Sequence, residues 1–326
     1  MRAAEFSGGA IAVNELIISV FAFAVVVLLV YVLRRYGKLE RSHARPISNL
    51  VLNIVLPANI LFELGRSQLR FGHLKMVIIF WIICAVNVIL ANYAGRLLRC
   101  TRAERGALML VCGFSATALV GLPLIKIIFP DNPQMVSDAI VASEFGMVIP
   151  ALVIGPIIAS VFGENQNELS NTQLMRQSIV NYLKSPISCS IMLALVISQT
   201  GIGGIVETVF IKKVLNIAGS GLLFLPLVLI GLSISGTISK KSVVLILVAL
   251  LIQDIMQPLL AILVSKAVSL SATEEPIVKI LSLTPAALVT PIFATKYNCA
   301  PWLVADVVFV SVLSILISMP LHYFLL

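Results

Sequence analysis

Long apolar stretches alternate with short polar ones along almost the whole sequence. Each apolar stretch is close to the roughly 20 residues that a helix needs to span a bilayer. The pattern therefore predicts an all-α polytopic membrane protein with ten transmembrane helices. We number the stretches segments 1 to 10, with predicted bounds at about Leu16–Leu33, Ile47–Leu64, Met76–Leu97, Gly106–Phe129, Asp138–Phe162, Pro186–Ile202, Val214–Ile234, Val243–Val268, Pro276–Tyr297 and Trp302–Leu325.

Composition agrees with this class. Of the 326 residues, 59% are hydrophobic and 12% are charged, whereas a soluble domain carries about 25% charged residues. The formal net charge is +8, and most Lys and Arg residues lie in the loops that follow segments 1, 3, 5, 7 and 9. Basic residues in short loops are typical of the cytoplasmic side of a membrane. We therefore expect both termini outside and the central loop in the cytoplasm, and no nucleic-acid partner.

Segments 4 and 9 are interrupted in the same way. Segment 4 contains Gly113–Pro123, and the similar stretch Leu281–Pro291 follows 168 residues later. The same offset aligns Ser143 with Ser311. This indicates an internal duplication of five segments, and an odd number of segments makes the two repeats inverted. The predicted organisation is a first repeat at 1–162, a cytoplasmic linker at 163–185 and a second, inverted repeat at 186–326.

Irregular backbone inside a membrane survives only where it is buried in protein or lines a cavity. Proline lacks an N–H and disrupts the preceding helical turn, so we expect unwound backbone before Pro123 and Pro291. If the two breaks meet, the half-helices beyond them direct positive N-terminal ends at one place, which favours an anion. The candidate substrate-binding residues are Ser115, Thr117, Gly121, Pro123, Thr284, Pro285, Thr290 and Pro291, with Asn53 and Asn59 of segment 2.

Ionisable residues inside a span are costly, at roughly 2.5–3.5 kcal/mol at a helix centre. Asp254 and Gln253 in segment 8 and Glu144 in segment 5 are therefore candidates for coupling transport to a proton or a sodium ion. The alternative for each is a buried residue that bonds a neighbouring helix. Asp138 and Asp306 are expected to cap the starts of segments 5 and 10.

An enzyme is not expected, because the three histidines (His43, His73 and His322) show no metal-ligand spacing and no Gly-x-Ser-x-Gly motif occurs. No metal or organic cofactor is therefore expected. A channel would show a continuous polar stripe along several helices, whereas the polar residues here cluster at the middle of the segments.

Several motifs together resemble the auxin efflux carrier family over essentially the whole chain: the Leu-Pro of segment 2, the Gly-Leu-Pro that ends the break in segment 4, the prolines of segment 9 and the five-plus-five layout. That family includes plant auxin exporters and bacterial permeases proposed for malonate, malate and similar acids, and it is distantly related to bile-acid/sodium symporters. The resemblance implies that segments 4 and 9 cross at the substrate site. It implies a scaffold of helices 1, 2, 6 and 7, a homodimer through helices 2 and 7, and a transport domain of helices 3–5 and 8–10 that moves like an elevator.

The resulting hypothesis is a secondary active transporter of small organic anions of the malonate or malate type. Two alternatives stay open: a sodium-coupled symporter of larger amphipathic anions, and an exporter of auxin-like monocarboxylates. The chain has Ser115-Ala116-Thr117 where family members often carry Asn and Gly together. Its short central loop favours a bacterial-type organic-acid permease in the inner membrane.

Overall fold

A computed structural model of the chain describes residues 18, 21–66, 73–129, 132–164, 176, 180, 183–200, 204–234 and 240–325. These residues are almost entirely helical, which agrees with the predicted all-α class. Within them, five helices are long and apolar enough to cross a membrane, and they coincide with segments 2, 3, 5, 7 and 8. Their bounds are Arg41–Phe62, Leu74–Leu97, Gln134–Phe162, Val209–Ser233 and Lys240–Val268.

The other segments are also helical where the structure describes them. Segment 1 is a helix over residues 21–35. Segments 6 and 10 form the helices Pro186–Gln199 and Pro301–Leu325. Segments 4 and 9 are each divided into two helices. Those of segment 4 are Arg102–Gly113 and the π-helical turn Thr117–Gly121 that continues as Leu122–Ile128, and those of segment 9 are Glu274–Ser282 and Thr290–Tyr297. We call the first member of each pair the entry half-helix and the second the exit half-helix.

In the described part of the chain, four helices contain a π-helical turn. The second residue after each of these turns is a proline. Because proline has no N–H and its ring crowds the carbonyl four residues earlier, the preceding turn widens, and such turns are frequent at functional sites. Three of the four lie in segments 2, 5 and 8, where the helix continues past them. The turns are Val51–Val55, Thr117–Gly121, Glu144–Val148 and Leu251–Met256, followed by Pro57, Pro123, Pro150 and Pro258.

The corner after segment 3 is built in the same way as the corner after segment 8, 170 residues later. Arg99 and Ser269 both adopt left-handed backbone, with φ of 51° and 53°. A capping box follows each of them, formed by Thr101 with Glu104 and by the pair Ser271–Glu274. In each box the hydroxyl accepts from one backbone N–H and the carboxylate accepts from another. The two halves of the chain therefore share local geometry as well as sequence.

The expected caps at Asp138 and Asp306 are wrong, because the two helices begin earlier, at Pro133 and Pro301. At the first of these starts, Asn132 caps the helix by accepting a hydrogen bond from the N–H of Met135 at 3.1 Å. Asp138 is instead inside the helix and contacts His73 at 3.0 Å. The proline at the first helical position marks the start better than the acidic residue does.

Hydrogen bonds between loops define two opposite faces of the molecule. The loops that follow segments 1, 3, 5, 7 and 9 meet on one side, which we call the basic face. The loops that follow segments 2, 4 and 8 meet on the other side. The contacts of the basic face are Arg34 to the Ile234 carbonyl (2.8 Å), Lys241 to Glu104 (2.6 Å) and Asn298 to Glu164 (2.9 Å). Those of the opposite face are His73 to Asp138 (3.0 Å) and Lys75 to the Ser269 carbonyl (3.2 Å).

Glu104 is a buried carboxylate on the basic face that accepts hydrogen bonds from two neighbours. Burial disfavours its ionised form, but hydrogen bonds from the Lys241 ammonium and from Thr101 outweigh burial and lower the pKa of the Glu104 carboxyl. This carboxylate ties the start of segment 4 to the start of segment 8 while it also closes the capping box. The start of the broken segment 4 is thereby fixed in place.

Candidate substrate site at the helix crossover

The breaks in segments 4 and 9 meet and cross. The N–H of Ala116 donates to the carbonyl of Pro285 at 2.8 Å, and the N–H of Ala287 donates to the carbonyl of Phe114 at 2.9 Å. This is a single antiparallel bridge between two otherwise unwound stretches. Buried backbone groups need such partners, since an unpaired N–H or C=O away from water costs several kcal/mol. Each break therefore supplies the hydrogen bonds that the other has lost.

The exit half-helices begin close to the crossover, at Thr117 in segment 4 and at Thr290 in segment 9. Pro123 is the second residue of Leu122–Ile128, and Pro291 is the second residue of Thr290–Tyr297. At the start of the Thr290 helix the missing N–H of Pro291 costs nothing, because the first N–H groups of a helix have no partner in it. Pro123 instead follows a π-helical turn in which the N–H of Leu122 bonds to the Thr117 carbonyl. The expected unwound backbone directly before Pro123 is therefore wrong: the unwound residues of segment 4 are Phe114–Ala116. The side chain of Pro123 lies outside the described part of the structure.

Gly121 allows segments 4 and 9 to approach each other closely. A Cβ at this position would lie 2.5 Å from Cδ2 of Leu281 and 3.1 Å from Cγ2 of Thr284. Both distances are shorter than ordinary van der Waals contact, so a side chain here requires the neighbours to move. Glycine at this candidate position is explained by packing across the crossover.

The four candidate hydroxyl groups lie at the crossover and are buried, with exposures of 0–4%. The hydroxyl of Thr284 donates to its own helix at the Leu281 carbonyl, and that of Thr290 donates to the Ala287 carbonyl, both at 2.8 Å. Ser115 donates to the side chain of Gln257 at 3.0 Å. In this conformation the hydroxyls therefore form hydrogen bonds within the protein, and solvent does not reach them.

A repeated contact holds both breaks. Ser143 of segment 5 donates to the hydroxyl of Thr117 at 2.8 Å. Its sequence counterpart Ser311 of segment 10 accepts from the N–H of Ala286 at 3.2 Å. The 168-residue offset aligns the two serines, and each contacts the break of its own half, although Ser311 contacts the residue next to Pro285, the counterpart of Thr117.

Sequence reasoning missed the buried amides that surround the crossover. Gln257 of segment 8 accepts from Asn87 of segment 3 at 3.1 Å and donates to the Ser282 carbonyl of segment 9 at 2.7 Å. With its bond to Ser115, it joins segments 3, 4, 8 and 9. Asn87 and Gln257 are both fully buried. The signal available in the sequence was the presence of two amides at the centres of apolar segments.

The ion-coupling candidates lie close to this network. Gln253 is buried and donates to the carbonyl of Val111 in segment 4 at 2.6 Å. Asp254 is half-buried, and both residues lie in the π-helical turn of segment 8. Glu144 is buried in the π-helical turn of segment 5. All three are thus carried by widened turns.

Asn53 and Asn59 lie away from the bonds that form the crossover. Asn53 is exposed on the π-helical turn of segment 2. Asn59 is half-buried, and its backbone faces Gly219 of segment 7, where an added Cβ would lie 3.5 Å from the Asn59 nitrogen. This part of segment 2 packs against segments 6 and 7.

Residues 15–323 match the family described as membrane transport protein. The chain is also similar to an uncharacterized transporter, MJ1031, of Methanocaldococcus jannaschii. The two are 23% identical over 291 residues, which cover 88% of this chain and 91% of the relative. The match spans both halves, including the crossover and the loops of both faces. The chain therefore belongs to the membrane transport protein family, which is the auxin efflux carrier family that its motifs resemble, and it is an integral membrane protein.

Proposed function

We propose that the protein is a secondary active transporter of small organic anions, with malonate- or malate-type carboxylates as the substrate class. The observation that carries the proposal is the crossing of two broken helices, close to which both exit half-helices begin, at Thr117 and Thr290. Each helix start presents unpaired N–H groups and roughly half a positive charge. Two such ends together present about one unit of positive charge at one buried place.

The size of the ligand follows from the same geometry. The crossover is enclosed by segments 3, 5, 8 and 10, and its hydroxyls are buried. A compact carboxylate fits such an enclosed site better than a large amphipathic anion, which needs an extended apolar groove. Chemically, a carboxylate accepts hydrogen bonds from the N–H groups of helix starts.

The polar contacts support an elevator-like movement of one group of segments against another. Bonds between buried polar groups join segments 3, 4, 5, 8, 9 and 10, which are the six of the proposed transport domain. Segment 2 packs mainly against segments 6 and 7, and Gly231 of segment 7 lies against segment 1. The matched corners after segments 3 and 8 support the inverted five-helix repeats on which this division rests.

Among the described residues, two hydrogen bonds link segment 2 of the scaffold to the exit half-helix of segment 9. Ser48 donates to the carbonyl of Ile292 at 2.7 Å, and Lys296 donates to the side chain of Asn49 at 2.6 Å. A sliding transport domain has to break both. They are few enough that such a movement is feasible, at a net cost of about 1 kcal/mol for each hydrogen bond.

Ligand-induced stabilisation of the purified protein tests the substrate class. The melting temperature is measured in detergent with malonate, malate, succinate, indole-3-acetate and a bile acid, against chloride and sulfate at matched ionic strength. A ligand at a hundredfold excess over its Kd stabilises the folded state by about 2.7 kcal/mol. We expect stabilisation by the small dicarboxylates. Stabilisation by the bile acid or indole-3-acetate alone would favour one of the alternative substrates, and no shift with any carboxylate would contradict the anion site.

A further inference from the structure

The crossover has two sides of opposite polarity. The exit half-helices present their positive starts, whereas the entry half-helices Arg102–Gly113 and Glu274–Ser282 present their negative ends. The amide side chains of segment 8 bond to the carbonyls of Val111 and Ser282, which lie in the last turns of the entry half-helices. The amide network therefore occupies the side of the crossover that favours a positive charge.

Two oxygens of this network have no hydrogen-bond partner: Oδ1 of Asn87 and Oε1 of Gln253. The two residues are 0% and 1% exposed. A buried acceptor without a partner costs about 1–3 kcal/mol, so two of them beside the crossover need an explanation. A ligand that supplies positive charge to both oxygens would explain them.

The orientation of these amides is fixed by their neighbours. Gln257 donates its Nε2 to the Ser282 carbonyl, so its Oε1 is the atom that accepts from Asn87. Asn87 must then present its Nδ2 to Gln257 and direct its Oδ1 elsewhere. Gln253 likewise donates its Nε2 to the Val111 carbonyl. Exchanging oxygen and nitrogen in either amide would place two acceptors face to face.

Asn87 and Gln253 border the same short stretch of segment 4. Gln253 and Gln257 are four residues apart, about one turn of helix, and both bond to segment 4, at Val111 and Ser115. Asn87 bonds to Gln257, and the next residue, Val88, lies over Gly113. Both side chains are thus joined to residues 111–115, Gln253 directly at Val111 and Asn87 through Gln257 and Ser115.

We propose that Asn87 and Gln253 bind a monovalent cation, with Na⁺ as the preferred ion, at the negative ends of the entry half-helices. Carbonyl-type oxygens replace the hydration shell of such ions, and unwound backbone near helix C-terminal ends coordinates Na⁺ in membrane transporters. Amide oxygens carry no full charge, so they suit a single charge better than the two charges of Ca²⁺ or Mg²⁺, which are bound with carboxylates. This cation site is distinct from the anion site. That the bound cation is the coupling ion rests on the proposed transport function.

Cation-dependent stability in the absence of any carboxylate tests the site directly. The melting temperature of the purified protein is titrated with NaCl, KCl and N-methyl-D-glucamine chloride at constant ionic strength. We expect NaCl to raise it saturably and N-methyl-D-glucamine chloride to have no effect. Equal melting in all three salts would overturn the proposal. Because no anionic substrate is present, this result does not depend on whether the transport proposal holds.

Two variants locate the ion, and a third is the matched control. Gln253→Met and Asn87→Leu each remove one ligand oxygen, and both should abolish the NaCl-specific shift. Ser265→Ala removes a buried hydroxyl that also lacks a partner but lies on segment 8 three turns beyond Gln253, and it should keep the shift. A NaCl response that survives in both ligand variants would contradict the assignment. If one ligand variant fails to fold, the other still decides.

Discussion

Replacing Gln257 tests whether the buried amide network holds the crossover together. Gln257→Met keeps a similar length but removes one donor and one acceptor. Three buried groups then lose their partner: the Asn87 amide, the Ser115 hydroxyl and the Ser282 carbonyl. Each unpaired buried group costs about 1–3 kcal/mol, so we expect a loss of about 3 kcal/mol or more in the free energy of unfolding, measured by denaturant titration in mixed micelles.

A double-mutant cycle separates the network from simple packing. Gln257→Met and Asn87→Leu share a bond, so the double variant should lose clearly less stability than the sum of the two single losses, by at least about 0.5 kcal/mol. Ser265→Ala, which removes a partnerless hydroxyl on the same helix, should be neutral. Additive single losses, or a Gln257→Met protein as stable as the wild type, would refute the reasoning.

Three further perturbations address the crossover, the basic face and the movement. Gly121→Val should abolish transport in vesicles while the protein still inserts, because its side chain would push Leu281 away from segment 4. Glu104 has a lowered pKa in the folded protein, so its stabilising contribution is present at neutral pH and is lost as pH falls below about 4.5; Glu104→Gln should flatten this part of the melting-temperature profile. Asn49→Ala removes the partner of Lys296, which should lower the free energy of opening the closed conformation by about 1 kcal/mol. In a variant whose only cysteine is Cys112, maleimide labelling should therefore be about fivefold faster.

Each of these expectations has a contrary outcome. Normal transport by Gly121→Val would show that close contact across the crossover is dispensable, and Gly204→Ala, where an added Cβ meets nothing within 4 Å, is its control. A Glu104→Gln protein that melts with the wild-type acid dependence would assign that dependence to other carboxylates. Unchanged labelling of Cys112, a fully buried thiol, would mean that the Asn49 contact does not limit opening.

The segment pattern predicted the helices and the two breaks because both depend on hydrophobic length and proline, which are local signals. The structure bears this out before Pro291, where the exit half-helix begins at Thr290. In segment 4 the unwound residues lie further from the proline, at Phe114–Ala116, because a π-helical turn precedes Pro123. The corners were missed, although the boxes Thr101–Glu104 and Ser271–Glu274 repeat at a fixed offset and were visible in the sequence. The error at Asp138 arose because proline and asparagine, not the acidic residue, start that helix.

Other features could not follow from the sequence. A proline such as Pro258 predicts a disturbed helix, but packing decides whether the preceding turn kinks or widens to a π-helical turn. The pairing of Asn87 with Gln257 joins residues 170 positions apart, and one sequence without relatives does not reveal such partners. Polar residues in apolar segments indicate that a polar site exists, whereas their hydrogen bonds depend on how the helices pack.

Transport by the purified protein is the most direct test of an anion site at the crossover. The protein is reconstituted in liposomes loaded with unlabelled malonate, and counterflow of radiolabelled malonate and malate is followed for the wild type and for Pro123→Ala combined with Pro291→Ala. We expect saturable uptake by the wild type and none by the double variant, which should remain folded in the membrane. Uptake of the same size in both proteins, or none in the wild type with any small carboxylate, would contradict an anion site at the crossover.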